Sequence, residues 1–302
     1  MSDTLSVKAY AKINLTLDVT GVRENGYHNV KMVMQTISLC DIVSVTLKAI
    51  EAAEATESRV FVRTNLSYLP VDSRNIAYMA AVKFFEYLKR RGISFPAYDV
   101  YIRIRKYIPV GAGLAGGSTN AAAVLRALNE MTNAKLSISE LMSIGIGLGA
   151  DVPYCICGGT KLVKGIGEFV LPLPPLPDCY ILLAKPSFSV STPNVYAEID
   201  KTGELIAVDT NGMIEAVKNK SVTDIGLHMK NVMEYIVSKK QPEIAHIKEI
   251  LIKHGASGAS MSGSGPTVYG IFHVSKRDDV YAAREELLNT YKEIFIAKPV
   301  IQ

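Results

Sequence analysis

Tryptophan is absent, and cysteine is scarce: Cys40, Cys155, Cys157 and Cys179. No two cysteines form a CxxC pair, and no histidine cluster lies near them. That argues against a zinc site or a disulfide framework and for reduced thiols in a cytoplasm. Cys155 and Cys157 stand two apart in an apolar run, the spacing of one face of a core strand. No stretch of about 18 uncharged apolar residues occurs, which excludes a transmembrane helix and gives no reason to expect a membrane partner. The opening MSDTLSVKAYAKINL lacks the charged-then-apolar order of a signal peptide and the Arg and Ser content of a transit peptide. A large excess of one charge is also missing. The 33 Lys+Arg stand against 29 Asp+Glu, a net charge of +4, with the basic residues scattered. This suits an anionic small molecule and argues against nucleic acid.

Hydrophobic residues make up 48% of 302 positions, enough for a sizeable core in one large domain or two. Alternation over residues 5–18 predicts a strand, followed by a turn at Glu24-Asn25-Gly26. Residues 30–39 and 41–47 read as two more strands. A helical stripe (Ile76, Met79, Ala80, Val82, Phe84, Leu88) covers 75–91, and alternation returns over 99–105. Helices follow over 119–131 and 139–148, the second capped by Ser137 or Ser139 with Glu140 in its first turn. Four prolines within residues 171–177 forbid a helix and mark a connector. The division therefore falls between residues 1–173, a nucleotide-binding domain, and 174–302. The second part reads as a strand at 180–184, helices at 211–218, 223–238 and 241–254, a glycine-rich segment at 255–265, a strand at 267–272, a helix from Arg277 and a strand at 293–299. Strands and helices without strict alternation indicate α+β.

The densest segment is Pro109, Val110, Gly111, Ala112, Gly113, Leu114, Ala115, Gly116, Gly117, Ser118 and Thr119, between a strand and a helix. Glycines let backbone N–H groups crowd inward and let phosphate oxygens approach. The helix start adds unpaired N–H groups and its positive end. Other readings remain at this point. Gly111-x-Gly113-x-x-Gly116 fits a dinucleotide fingerprint, but a helix rather than a strand with an acidic residue follows. A Walker A loop needs Gly-Lys, which the chain lacks, and the protein-kinase HRD and DFG motifs are missing. A merely flexible glycine-rich loop is the plainest alternative.

At this loop the sequence resembles the GHMP kinase family (galactokinase, homoserine kinase, mevalonate kinase, phosphomevalonate kinase), whose loop reads Pro-x-Gly-x-Gly-Leu-Gly-Ser-Ser. Further blocks resemble the branch of that family whose acceptor carries a cytidine diphosphate group. They are Ala11-Lys-Ile-Asn-Leu15, Asn25-Gly-Tyr-His28, Met34-Gln-Thr36, Gly149-Ala-Asp-Val-Pro153, Gly165-Ile-Gly-Glu168 and Ser262-Gly-Ser-Gly-Pro-Thr267. They run in family order over nearly the whole chain. One departure is Ala115, where the family has glycine; its methyl would narrow the loop or demand φ below zero. The resemblance implies a two-domain fold. Its N-terminal domain would resemble the second domain of ribosomal protein S5, and its C-terminal, GHMP-type domain would be ferredoxin-like. It implies transfer of the ATP γ-phosphoryl, with Mg²⁺, to the 2-hydroxyl of a diphosphocytidyl methylerythritol, a step of non-mevalonate isoprenoid synthesis.

Residue roles follow from the same resemblance, each beside a plainer reading. Asp151, between small and apolar residues, is the catalytic base or else a capping aspartate. Lys12 shares a strand face with Lys8, Tyr10 and Asn14. That face is either exposed or lines a cleft, where Lys12 would counter charge on the transferring phosphoryl. Asn14 would bond the acceptor. Tyr27 and His28 supply a ring and donors for cytosine, with Tyr196 as a second ring. Ile166 and Thr192 match acceptor-lining places. Lys106 and Asn75 match places near ATP, although Lys106 also ends a basic strand. Metal ligands and oligomeric state are not legible. A different alcohol acceptor, or a sensor built on a kinase fold, are the alternatives.

Overall fold

The computed structural model describes residues 3–51, 57–202 and 206–301. Its elements in chain order are β1 (Asp3–Val22), β2 (His28–Ala49), β3 (Arg59–Thr64), α1 (Ile76–Arg90), β4 (Tyr98–Arg105), α2 (Gly116–Met131), α3 (Ile138–Ile146), α4 (Val152–Cys157), β5 (Thr160–Gly165) and β6 (Phe169–Pro172). There follow β7 (Cys179–Lys185), α5 (Thr192–Thr202), α6 (Thr210–Lys218), α7 (Val222–His228), β8 (Lys230–Asn231), α8 (Val232–Ser238), α9 (Glu243–Lys253), β9 (Gly258–Met261), β10 (Val268–His273), α10 (Arg277–Leu288) and β11 (Glu293–Ala297). The chain forms two compact units. One holds the chain up to Tyr10, Cys40–Ile108 and Ala115–Cys157; the other holds Ala11–Leu39, Pro109–Leu114 and everything from Gly158.

In the first unit, β3 runs parallel to β4, from Arg59 opposite Asp99 to Thr64 opposite Ile104. The C-terminal part of β2 runs antiparallel to β4, from Ile42 opposite Arg105 to Ala49 opposite Tyr98. Val43, Val45, Leu47, Val100, Ile102 and Ile104 alternate inward and are buried. Helix α1 packs on β3, β4, α2 and α3, and α2 packs on α4. Asn75 caps α1, accepting from the Ala77 amide at 3.0 Å, and Lys89 and Arg90 sit at its negative end. Ser137 forms a reciprocal capping box with Glu140 at the start of α3, one of the two caps expected.

In the second unit, Thr16–Leu17 of β1 pair in parallel with β8, and Val30–Gln35 of β2 pair antiparallel with β5, which turns back into β6. A separate four-stranded antiparallel sheet has the order β11-β7-β10-β9. Counted along its own segment this is strand order 4-1-3-2 with helices after the first and third strands, the ferredoxin-like arrangement. The α+β class read from the element pattern and the ferredoxin-like C-terminal arrangement implied by the resemblance are therefore present.

Several elements differ from the sequence reading. The two strands expected over 30–39 and 41–47 are one strand, β2, within which Asp41 is fully buried rather than starting a new strand at a turn. The helix expected over 223–238 is broken by β8, where Asn231 leaves the helical conformation at φ −138° and caps α8. Cys155 and Cys157 lie on a helix, α4, not a strand. Pro153 is tolerated there because the first turn of a helix does not use its N–H.

Candidate active site

The glycine-rich loop is shared between the units: residues 109–114 belong to the second and Ala115 onwards to the first.

In the second unit, Lys12 and Asn14 are 3% and 1% exposed. The polar face of β1 is thus an interior one, lined by Lys12, Asn14 and Thr16, while Ala9, Ala11, Ile13 and Leu15 fill the other face. The Lys12 ammonium donates to Asn14 Oδ1 at 2.7 Å and to the Gly113 carbonyl at 2.9 Å. The Lys12 amide donates to the Leu114 carbonyl at 3.2 Å. A fixed positive charge therefore sits against the glycine loop. Gly113 has φ +74°, and a Cβ there would lie 2.1 Å from the Ser262 carbonyl oxygen. Only glycine fits. Ser262 Oγ also donates to the Gly113 carbonyl, at 3.0 Å, so the second glycine motif is the scaffold against which the loop rests. That motif is itself tied down by Asn231 Nδ2, which donates to the carbonyls of Met261 and Gly263 at 2.7 and 2.8 Å.

The same unit gathers most of the residues expected at the acceptor. His28 stacks on Tyr196 with ring centroids 4.2 Å apart, and His28 Nε2 meets Asp200 Oδ1 at 2.7 Å. The two rings are stacked, with 19° between their planes. Tyr27 is 61% exposed at the hairpin turn, where Arg23 N donates to its carbonyl at 2.7 Å. Thr192 Oγ1 hydrogen-bonds Ser264 Oγ at 2.7 Å, next to the glycine motif. Ile166 is positioned by Glu168, which accepts its amide and an Arg23 guanidinium bond of 2.6 Å. Burial pushes the Glu168 carboxyl up, but those bonds outweigh it and hold it below the usual range. Tyr269 Oη donates to the Asn14 carbonyl at 2.7 Å from a fully buried position that drives its phenol well above the ordinary value.

In the first unit, Ala115 is the N-cap of α2 and makes no side-chain cap. No acidic side chain lies in the first turn, so this 16-residue helix supplies no carboxylate of its own against its positive end. Ala115 has φ 57° and ψ 29°. The expectation of φ below zero is overturned: the methyl is carried in the left-handed region. Asp151 sits half-exposed just before α4, with its carbonyl accepting from Cys155 N at 3.0 Å. Its neighbour Gly149 approaches the start of α2, a Cβ on it lying 4.0 Å from Ser118 Oγ.

Lys106 and Asn75, expected near the nucleotide, carry internal bonds. Asn75 Nδ2 donates to the Pro70 carbonyl at 2.8 Å while Oδ1 caps α1. Lys106 is 9% exposed, and its ammonium donates to Asp41 Oδ2 and, at 3.1 Å, to Asn120 Oδ1. It lies beneath the first turn of α2, 3.0 Å from where a Gly116 Cβ would be. Sequence reading missed Asp41, Asn120 and Asn231. The available signal for Asp41 was a lone carboxylate inside the apolar run of β2.

Among the described residues no group of three His, Cys, Asp or Glu side chains is placed to hold a metal, and no helix is long and apolar enough to cross a membrane.

Residues 75–159 match the model of the GHMP kinase N-terminal domain and residues 213–293 that of the GHMP kinase C-terminal domain. A 4-diphosphocytidyl-2-C-methyl-D-erythritol kinase of Clostridium botulinum (strain Eklund 17B / Type B) is 44% identical over 98% of this chain and 100% of the relative. One of Lachnoclostridium phytofermentans is 45% identical over 91% of this chain and 90% of the relative. A crystal structure of 4-(cytidine 5'-diphospho)-2C-methyl-D-erythritol kinase aligns over 99% of this chain and 100% of that one, with TM-score 0.76 and 27% identity. Homoserine kinase from Cytophaga hutchinsonii shares the fold at TM-score 0.75 and 18% identity, covering 99% of this chain and 95% of that one.

Proposed function

The chain belongs to the GHMP kinase family, and from that membership we propose that it transfers the ATP γ-phosphoryl to the 2-hydroxyl of 4-diphosphocytidyl-2-C-methyl-D-erythritol, in non-mevalonate isoprenoid synthesis. The observation that carries the proposal is the buried Lys12 ammonium held against the glycine loop by Gly113 and Asn14. Phosphoryl transfer needs little covalent help from the protein; it needs positioning and fixed positive charge where negative charge develops.

Residues 109–119 cradle the ATP phosphates on backbone amides and on the start of α2. Lys12 counters charge on the phosphoryl in flight, and Asp151 takes the proton of the attacking hydroxyl. Asn14 bonds the acceptor beside Lys12. Tyr27, His28 and Tyr196 take the cytosine, with Ile166 and Thr192 lining its path; His28 and Tyr196 already lie together as an aromatic surface of the right kind. Lys106 and Asn75 serve ATP from behind, by holding the loop and the start of α1. Mg²⁺ fits this donor set as a companion of ATP, because it keeps water and phosphate ligands and asks the protein for only one or two oxygens. The Ser118 hydroxyl and the Asp151 carboxylate are of that kind, and the ion would neutralise charge between the phosphates. The division at residues 173 and 174 and a cytoplasmic site of action belong to the same proposal.

ADP release measured with ATP, Mg²⁺ and a panel of acceptors tests this. Turnover is expected with the cytidyl substrate and not with homoserine, mevalonate or galactose. Activity with one of the latter alone rejects the acceptor; ligand binding without turnover rejects catalysis.

A further inference from the structure

Asp41 is a buried carboxylate that the chemistry above does not use. It is 0% exposed, in β2, and every lone-pair direction it has is taken. Oδ1 accepts from the backbone amides of Tyr107 and Ile108 at 2.7 and 2.9 Å. Oδ2 accepts from Asn120 Nδ2 at 2.9 Å and from the Lys106 ammonium. A carboxylate offers about four acceptor sites, so this one is saturated.

The places it ties together matter. Tyr107 and Ile108 are the two residues before Pro109, where the glycine loop begins. Asn120 is in α2, just after the loop ends. One side chain therefore holds both ends of residues 109–119. Stability alone does not call for this arrangement. A buried ion pair is commonly no better than apolar side chains of the same volume, because both charges lose their hydration. What apolar side chains cannot do is accept two backbone N–H groups at the loop's start and a carboxamide at its end.

We propose that Asp41 is the positioning residue of the phosphate loop: it sets the loop's span for ATP through Tyr107, Ile108 and Asn120, and Lys106 balances its charge. The proposal rests on the kinase reading for what the loop binds. Its role is indirect, since Asp41 is wholly enclosed.

The test compares two double variants that share the loss of Lys106. In Asp41→Asn/Lys106→Met the Asn oxygen still accepts the Tyr107 and Ile108 amides. In Asp41→Leu/Lys106→Met nothing does. The KM for ATP is expected to be at least about tenfold higher in the Leu variant than in the Asn variant, because charge-free anchoring bonds of this kind are each worth roughly a fewfold to tenfold. The KM for the cytidyl acceptor should differ by less than about threefold, since a general loosening of the fold would alter the active fraction rather than one KM. Equal ATP KM values, or equal rises for both substrates, overturn the proposal. Should the Leu variant not fold, amide exchange on the wild-type chain decides. Tyr107 and Ile108 should exchange as slowly as the core amides of β4, and rapid exchange there overturns it. If the wild type releases no ADP, the kinase reading fails. The anchoring is then read from calorimetric ATP affinities of the same two variants, with the same tenfold criterion.

Discussion

Replacing Ala115 by glycine should stabilise this protein. Ala115 holds φ 57° and ψ 29° at the N-cap of α2. An L-residue in that region crowds its Cβ against the backbone at a cost of about 1–2 kcal/mol. Glycine escapes this cost but loosens the unfolded chain, which takes back about 0.4–1 kcal/mol. The balance favours glycine by about 0.5–1 kcal/mol, or roughly 1–3 °C in thermal midpoint for a chain of this size. The measurement is calorimetric melting without ligand, with urea unfolding as a second probe. Gly113→Ala serves as the opposite control. There φ is +74° and the new Cβ would meet the Ser262 carbonyl oxygen at 2.1 Å. Neither atom belongs to a flexible side chain, so a loss of more than about 2 kcal/mol is expected. An unchanged or lower midpoint for Ala115→Gly would refute the strain argument.

Three further outcomes follow from the site. Asp151→Asn should lower kcat by about 10²–10⁴-fold while calorimetry still finds ATP binding; near-normal turnover removes Asp151 as the base. Tyr196→Ala takes away the ring stacked on His28, and the KM for the cytidyl acceptor should rise about 2–10-fold with the KM for ATP unmoved. Glu168 is held below the usual carboxylate range, so its bonds to Arg23 and Ile166 stabilise the fold above the unfolded value near about 4.3. That contribution is lost as pH falls through the depressed folded value. The stability gap between wild type and Arg23→Ala should therefore be open at pH 6 and shrink toward pH 3; a gap that does not depend on pH contradicts this.

Much of this site was legible before any coordinates. The loop at 109–119 stood out by its glycines and its place between strand and helix, because those properties are local. Lys12 and Asn14 were legible as residues but not as an environment. Alternation shows that they share a face and says nothing of whether that face meets water. They are buried, and the Lys12 ammonium bonds the Gly113 carbonyl, 101 positions along the chain. Asp41 reads in the sequence as the first residue of a separate strand over 41–47. Its partners lie 65 to 79 positions away, and no short window contains them.

The sequence by itself determined most of the elements and which chemical groups are available: hydrophobic period, caps and glycine placement act within a few residues. Only the tertiary structure decided that one face of β1 is an interior polar surface, that Ala115 takes a left-handed turn, and that a single buried carboxylate bonds Tyr107 and Ile108 before the glycine loop and Asn120 after it. Burial and hydrogen-bond saturation are properties of distant neighbours, and those are set when the chain packs.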